Sequence, residues 1–310
     1  MKLPLFLLCL VMPVLAQAPA LTNEVRITTT GQTRRVQSNG IPDHAPGQFP
    51  NARNPNTIRA QDYDFRMPLS PQKKAAPAPY RMQPFGVAVN GVVLDPFAAE
   101  WWRGDPSSGW QYEPQGGAID LGLDEHNAHV QPNGAYHYHG IPTGLLQRLS
   151  GGENKPVLLG WAADGFPIYG PWGPSDPMDL NSPPRKLQSG YRVKAGARPA
   201  GGPGGQYDGS FVQDYEWAAG HGDLDENNGR HGVTPEFPQG AYYYVLTDAY
   251  PFIPRQFAGE PDRSFERRGP GGPGGMNGPP GMRPPGRRPP PPPGGGRRGG
   301  PGFRPPPPPF

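Results

Sequence analysis

Apolar and polar positions alternate over short stretches of this chain, and no window of about eleven residues carries a 3.6-residue apolar period. The pattern predicts strands. Its clearest element is the run 86–94, where two β-prone stretches flank Asn90-Gly91. Both residues of an Asn-Gly pair tolerate positive φ, so this run predicts a β-hairpin. Residues 135–139, 156–162 and 241–247 also read as strands, with Pro142, Pro167 and Pro251 limiting their extension. Asp164-Gly165 predicts a turn after an apolar strand. Residues 73–79 form a Pro/Ala-rich break, and residues 195–205 a Gly/Pro-rich excursion expected at the surface. The expected fold is an all-β, or β-rich, single domain with long ordered loops.

One pattern occurs twice. Leu123-Asp124-Glu125-His126-Asn127-Ala128-His129 is followed by Gly134-Ala135-Tyr136-His137-Tyr138-His139. Leu224-Asp225-Glu226-Asn227-Asn228-Gly229-Arg230 is followed by Gly240-Ala241-Tyr242-Tyr243-Tyr244-Val245. Each copy reads as an acidic loop, a Pro-containing turn and an aromatic strand, which predicts a duplicated loop-strand unit within one domain. His129, His137 and His139 of the first copy become Arg230, Tyr243 and Val245 in the second. The scaffold repeats, but the side chains able to bind a metal do not.

Composition divides the chain. Of 310 residues, 46 are Gly and 48 Pro; residues 267–310 hold 14 of the Gly, 17 of the Pro, eight Arg and no acid. Such a segment cannot build a core and is expected to be a disordered, extended tail. Removing its arginines and Lys2 from the formal charge of +3 leaves residues 17–266 at −6, which argues against nucleic-acid binding. The tail arginines suit an anionic envelope polymer or lipid head groups. At the other end, Lys2 precedes an apolar run over residues 3–15 and a small-residue site at Val14-Leu15-Ala16. This reads as a signal peptide over residues 1–16, too short for a membrane span, and predicts an exported protein: periplasmic, secreted or cell-surface. The only cysteine, Cys9, lies inside it, so the mature domain, residues 22–266, has neither disulfide nor thiolate ligand.

Four of the seven histidines fall between residues 126 and 139. On a strand, His137 and His139 share one face, and Tyr136 and Tyr138 the other. Two imidazoles at that spacing can reach one metal ion, and the turn at Pro132-Asn133-Gly134 can fold His129 back as a third ligand. Asp124 or His126 is expected to complete the set, with Glu125 nearby. Without a thiolate, the ion is zinc, copper or iron. Asp164, as a general base or ligand, and Tyr169, as a proton donor, are the catalytic candidates. His44, His221 and His231 are isolated in sequence and receive no role. Asp223–Gly229 opens like a calcium loop, but Thr234 stands where an EF-hand needs glutamate. No nucleophile elbow, phosphate-binding loop or zinc-protease motif is present.

Tyr136-His137-Tyr138-His139 resembles the signature of the YHYH-domain family. The likeness extends to Ser38-Asn39-Gly40-Ile41-Pro42-Asp43-His44, Asn54-Pro55-Asn56, residues 164–169 and Tyr207-Asp208-Gly209, and is motif-dense over residues 80–258. It implies an exported domain and brings no reaction with it. Many members carry Cys near the positions of His126 and Asn227, and this chain has neither. The function expected is binding of one transition-metal ion through the His cluster, with metal-dependent hydrolysis or oxidoreduction as its use. The alternative is a metal-free surface module in which Trp101-Trp102 and the aromatic sheet stack on glycans while the tail anchors it to the envelope.

Overall fold

The structure, a computed structural model, describes residues 21–78 and 82–266. The signal-peptide and tail readings therefore lie outside the described residues. Three strands come first: β1 (Val25–Thr30), β2 (Thr33–Ser38) and β3 (Tyr63–Pro68), an antiparallel sheet rich in β-branched residues. Next come β4 (Gly86–Ala88), β5 (Val93–Leu94), β6 (Ala128–Val130), β7 (Tyr136–Tyr138), β8 (Leu158–Ala162) and β9 (Pro167–Tyr169). Two small hairpins follow, β10 (Trp172–Pro174) with β11 (Pro184–Lys186), and β12 (Tyr191–Val193) with β13 (Tyr215–Trp217). The last strands are β14 (Gly229–Thr234) and β15 (Phe237–Val245). The β-rich class is as expected, including the hairpin at Asn90-Gly91 and the turn at Asp164-Gly165.

One α-helix accompanies the strands, α1 (Thr143–Ser150), eight residues long and shorter than the window in which its period could register. It buries Leu145 and ends at Gly151 in the left-handed conformation.

The large sheet has eight strands in the order β14-β15-β9-β8-β4-β5-β7-β6. That order becomes itself when β4 is exchanged for β8, β5 for β9, β7 for β15 and β6 for β14. The duplication is thus larger than the loop-strand unit legible in sequence; each copy contributes four strands, and the copies meet where β4 pairs with β8. The central register is Gly86 with Ala162, Val87 with Trp161 and Ala88 with Gly160, a ladder that maps onto itself under the exchange. Glycine is needed at both equivalent places. A Cβ on Gly86 would strike the Trp161 carbonyl, and one on Gly160 the Val87 carbonyl.

Alternation along β7 and β15 sets the two faces. Tyr136, Tyr138, Tyr242 and Tyr244 enter the main core with Phe65 and Met67 of the small sheet, Leu145 of α1, and Phe257. On the other face, Tyr243 and Val245 join Tyr169, Leu187 and Leu224 in a smaller core. In the first copy that face carries His137 and His139 instead.

Candidate metal centre

β6 and β7 pair antiparallel with His129 opposite His137, so the turn between them folds the third imidazole onto the other two. His137 Nε2 lies 3.0 Å from His139 Nε2, which lies 3.1 Å from His129 Nε2. The three rings are mutually tilted or edge-on, with centroids 4.6–4.8 Å apart. His137 and His139 are buried and His129 is half-buried.

The outer nitrogens decide what the inner ones can do. His129 Nδ1 is 3.0 Å from the Leu121 carbonyl, and His137 Nδ1 is 3.2 Å from the Ala135 carbonyl. A carbonyl only accepts, so each Nδ1 carries its proton there, and each Nε2 presents a lone pair inward. His139 Nε2 can donate to one of them at most. At least one contact at hydrogen-bond distance therefore has no proton to bridge it, an arrangement that a shared cation relieves. Two imidazoles on a tetrahedral zinc stand about 3.3 Å apart, given Zn–N distances of about 2.0–2.1 Å. The donor set thus fits a first-row transition metal bound by three Nε2 atoms.

Burial favours the neutral form of His129 and His139. Burial lowers the pKa of His129, opposed by the Leu121 carbonyl and the carboxylates of Glu100 and Asp124. Burial also holds the His139 pKa well below the ordinary imidazole value, reinforced by positive charge on His137, His129 and Arg255. Neutral imidazole is the form that ligates a metal.

Other residues hold the ligands in place. Asn54 Nδ2 donates to the Val130 carbonyl at 3.0 Å and lies 3.3 Å from His129 Nδ1, while Asn56 Nδ2 reaches the same carbonyl at 2.8 Å. Gln115 Nε2 donates to the His139 carbonyl at 2.8 Å. Sequence reading assigned no role to these three. Asn54 and Asn56 stood within a family motif, and no signal marked Gln115.

The triad brings together His129, His137 and His139, and the other expected ligands lie elsewhere. Asp124 is not a member: its Oδ1 accepts from the His126 and Ala128 amides, and its Oδ2 from the Tyr136 hydroxyl at 2.7 Å and the Gly47 amide. Tyr136 points away from the His face, and Asp124 follows it. His126 is not a member either, because both its nitrogens are engaged. Nδ1 accepts from the Gly144 amide at 3.1 Å, and Nε2 donates to the Ala45 carbonyl at 2.9 Å. Its ring packs edge-on against His44, whose Nε2 meets the Tyr138 hydroxyl at 2.7 Å, so His44 has a place in the fold that sequence did not show.

The catalytic candidates are also separate from the triad. Asp164 is buried in the β8–β9 turn, where its carboxylate accepts from Tyr244 and from the Phe166 and Gly259 amides. Desolvation pushes its pKa up to about 6. Tyr169 donates to Glu236 at 2.6 Å and contacts the Thr234 hydroxyl, within the second copy. Trp101 and Trp102 are half-buried, and the Arg103 guanidinium covers the Trp102 ring at 4.2 Å.

Fold and site together define a β-rich protein with a three-histidine cluster able to hold a metal on one half of a duplicated sheet. The chain belongs to the YHYH protein family, whose model matches residues 64–259. The Ser38–His44 and Asn54–Asn56 motifs precede the matched span, although Asn54 holds the Val130 carbonyl next to His129. No curated protein and no solved structure matches the chain. No helix among the described residues is long and apolar enough to cross a membrane.

Proposed function

We propose that this is an exported metalloprotein in which His129, His137 and His139 hold one transition-metal ion through Nε2. The supporting observation is the convergence of three imidazole Nε2 atoms, two of which, on His129 and His137, belong to rings whose Nδ1 meets a backbone carbonyl, leaving their unprotonated lone pairs directed at His139 Nε2. Export rests on the leader-like residues 1–16.

Three protein ligands leave a position for water or substrate, and a bound zinc, copper or iron ion would supply water activation or oxygen chemistry there. The chain's own contribution is rigidity. The β6–β7 register sets two ligands face to face, Asn54 and Gln115 pin the carbonyls beside them, and burial keeps water from competing. The reaction proposed for such a centre is metal-dependent hydrolysis or oxidoreduction.

Cobalt(II) titration tests this reading, because tetrahedral cobalt absorbs strongly in the visible. The metal-free protein should develop those bands to an endpoint at one equivalent, and His129→Ala should abolish them. Absence of an endpoint, or an unchanged endpoint in His129→Ala, would remove the site.

A further inference from the structure

Arg34 and Arg35 are neighbours on β2 with opposite circumstances. Arg35 Nε and Nη2 grip Asp64 at 2.7 and 2.8 Å. The Arg34 guanidinium has no carboxylate or hydrogen-bond partner among the described residues. Its Cζ lies over the Trp161 ring, 4.3 Å from the centroid, at a cleft of about 180 Å³ between the two sheets. Leu69 and Pro71 wall the cleft on one side; Phe166, Phe237 and Tyr242 wall it on the other. No acidic residue lines it.

Leaving a half-buried guanidinium without partners is costly, and burial correspondingly lowers the Arg34 pKa. Stacking on an indole fixes the plane of the group, so its donors are presented as a preset fork, the geometry that matches a carboxylate. A second cation packs on one lining residue: Lys73 Nζ lies 4.4 Å from the Tyr242 ring centroid and is paired with Asp225. The remaining walls are apolar or aromatic. The volume lies below that of drug-sized pockets, so the ligand is small.

We infer that this cleft binds a small monocarboxylate with an apolar body, its carboxylate on Arg34 and its body against Phe166, Phe237 and Tyr242. The cleft lies at the β8–β9 turn, apart from the His triad, and does not depend on it.

The test uses the full-length mature protein and benzoate as probe, followed by NMR at the Trp161 indole N–H, assigned with Trp161→Phe. Benzoate should shift this resonance saturably, whereas benzyl alcohol (the same body uncharged) and acetate (the same charge without the body) should bind at least about tenfold more weakly. Arg34→Gln should weaken benzoate by about tenfold or more, while Arg35→Gln and His137→Ala/His139→Ala leave it unchanged. If Arg34→Gln loses its dispersed indole spectrum, Arg34→Lys takes its place, with weakened binding again expected because the charge remains without the fork. No saturable shift in the natural protein, equal affinity for benzyl alcohol, or undiminished affinity in the folded Arg34 variant would overturn the assignment.

Discussion

The two halves of the large sheet are built on the same hydrogen bonds and finished with different side chains. In the first half, the Asp124 amide bonds to the Ala128 carbonyl, Asp124 accepts from the amides of His126 and Ala128, and Tyr136 donates to it. In the second, the Asp225 amide bonds to the Gly229 carbonyl, Asp225 accepts from Asn227 and Gly229, and Tyr242 donates to it. Asn127 and Asn228 turn the two loops at φ of 56° and 53°. The hydrogen bonds that close each loop on its own aspartate are therefore duplicated. On the opposite face the copies part: three imidazoles converge in one, while in the other Arg230 donates to Tyr243 at 2.6 Å and to the Pro174 carbonyl at 2.9 Å. There the chain supplies its own cation, and Val245 and Tyr243 close a small apolar core. The comparison separates what the fold requires from what the site requires.

The strongest challenge to that separation is to dress the first half as the second. His129→Arg/His137→Tyr/His139→Val should fold with a melting temperature within a few degrees of the metal-free natural protein, and should bind no metal. Failure to fold would mean that the histidines serve the scaffold. Next in size are the loop carboxylates. Asp124→Ala and Asp225→Ala each remove several hydrogen bonds from loop amides and a buried tyrosine, and each should cost about 3 kcal/mol in urea unfolding. A large cost for one and none for the other would break the equivalence of the halves.

A smaller and pH-dependent difference lies in the hairpin turns, where Asn90 in one half corresponds to Asp164 in the other. Burial raises the Asp164 pKa from 3.8 to about 6. Between these values the folded protein holds a proton that the unfolded chain has released, so stability falls as pH rises through the window. The full change is up to about 3 kcal/mol. Asp164→Asn should remove it: unfolding at pH 4 and pH 7 should show natural protein losing stability relative to the variant, and parallel pH profiles would refute the burial argument.

The legibility of these features in sequence follows their range. Asn90-Gly91, the repeated acidic loop and the i, i+2 spacing of His137 and His139 are local codes, and each appears in the fold as read. His129 was also legible, because a short turn joins its strand to theirs. His126 and Asp124 were drawn toward the site by sequence proximity alone, yet they stand in a loop that serves the tyrosine face. Asn54 holds the Val130 carbonyl beside His129 across 76 positions and Gln115 holds the His139 carbonyl across 24, separations at which side-chain pairing leaves no periodic trace. The two-fold character of the whole sheet was hidden for a related reason. β4 and β8 are only three and five residues long, and their likeness lies in register and in two glycines that relieve close backbone approach.

The most direct measurement is elemental analysis of tag-free protein purified without chelator, beside His137→Ala/His139→Ala. The account predicts about one equivalent of a single transition metal in the natural protein and none in the folded double variant. No metal in the natural protein even after incubation with zinc, copper or iron, or equal occupancy in both samples, would contradict it.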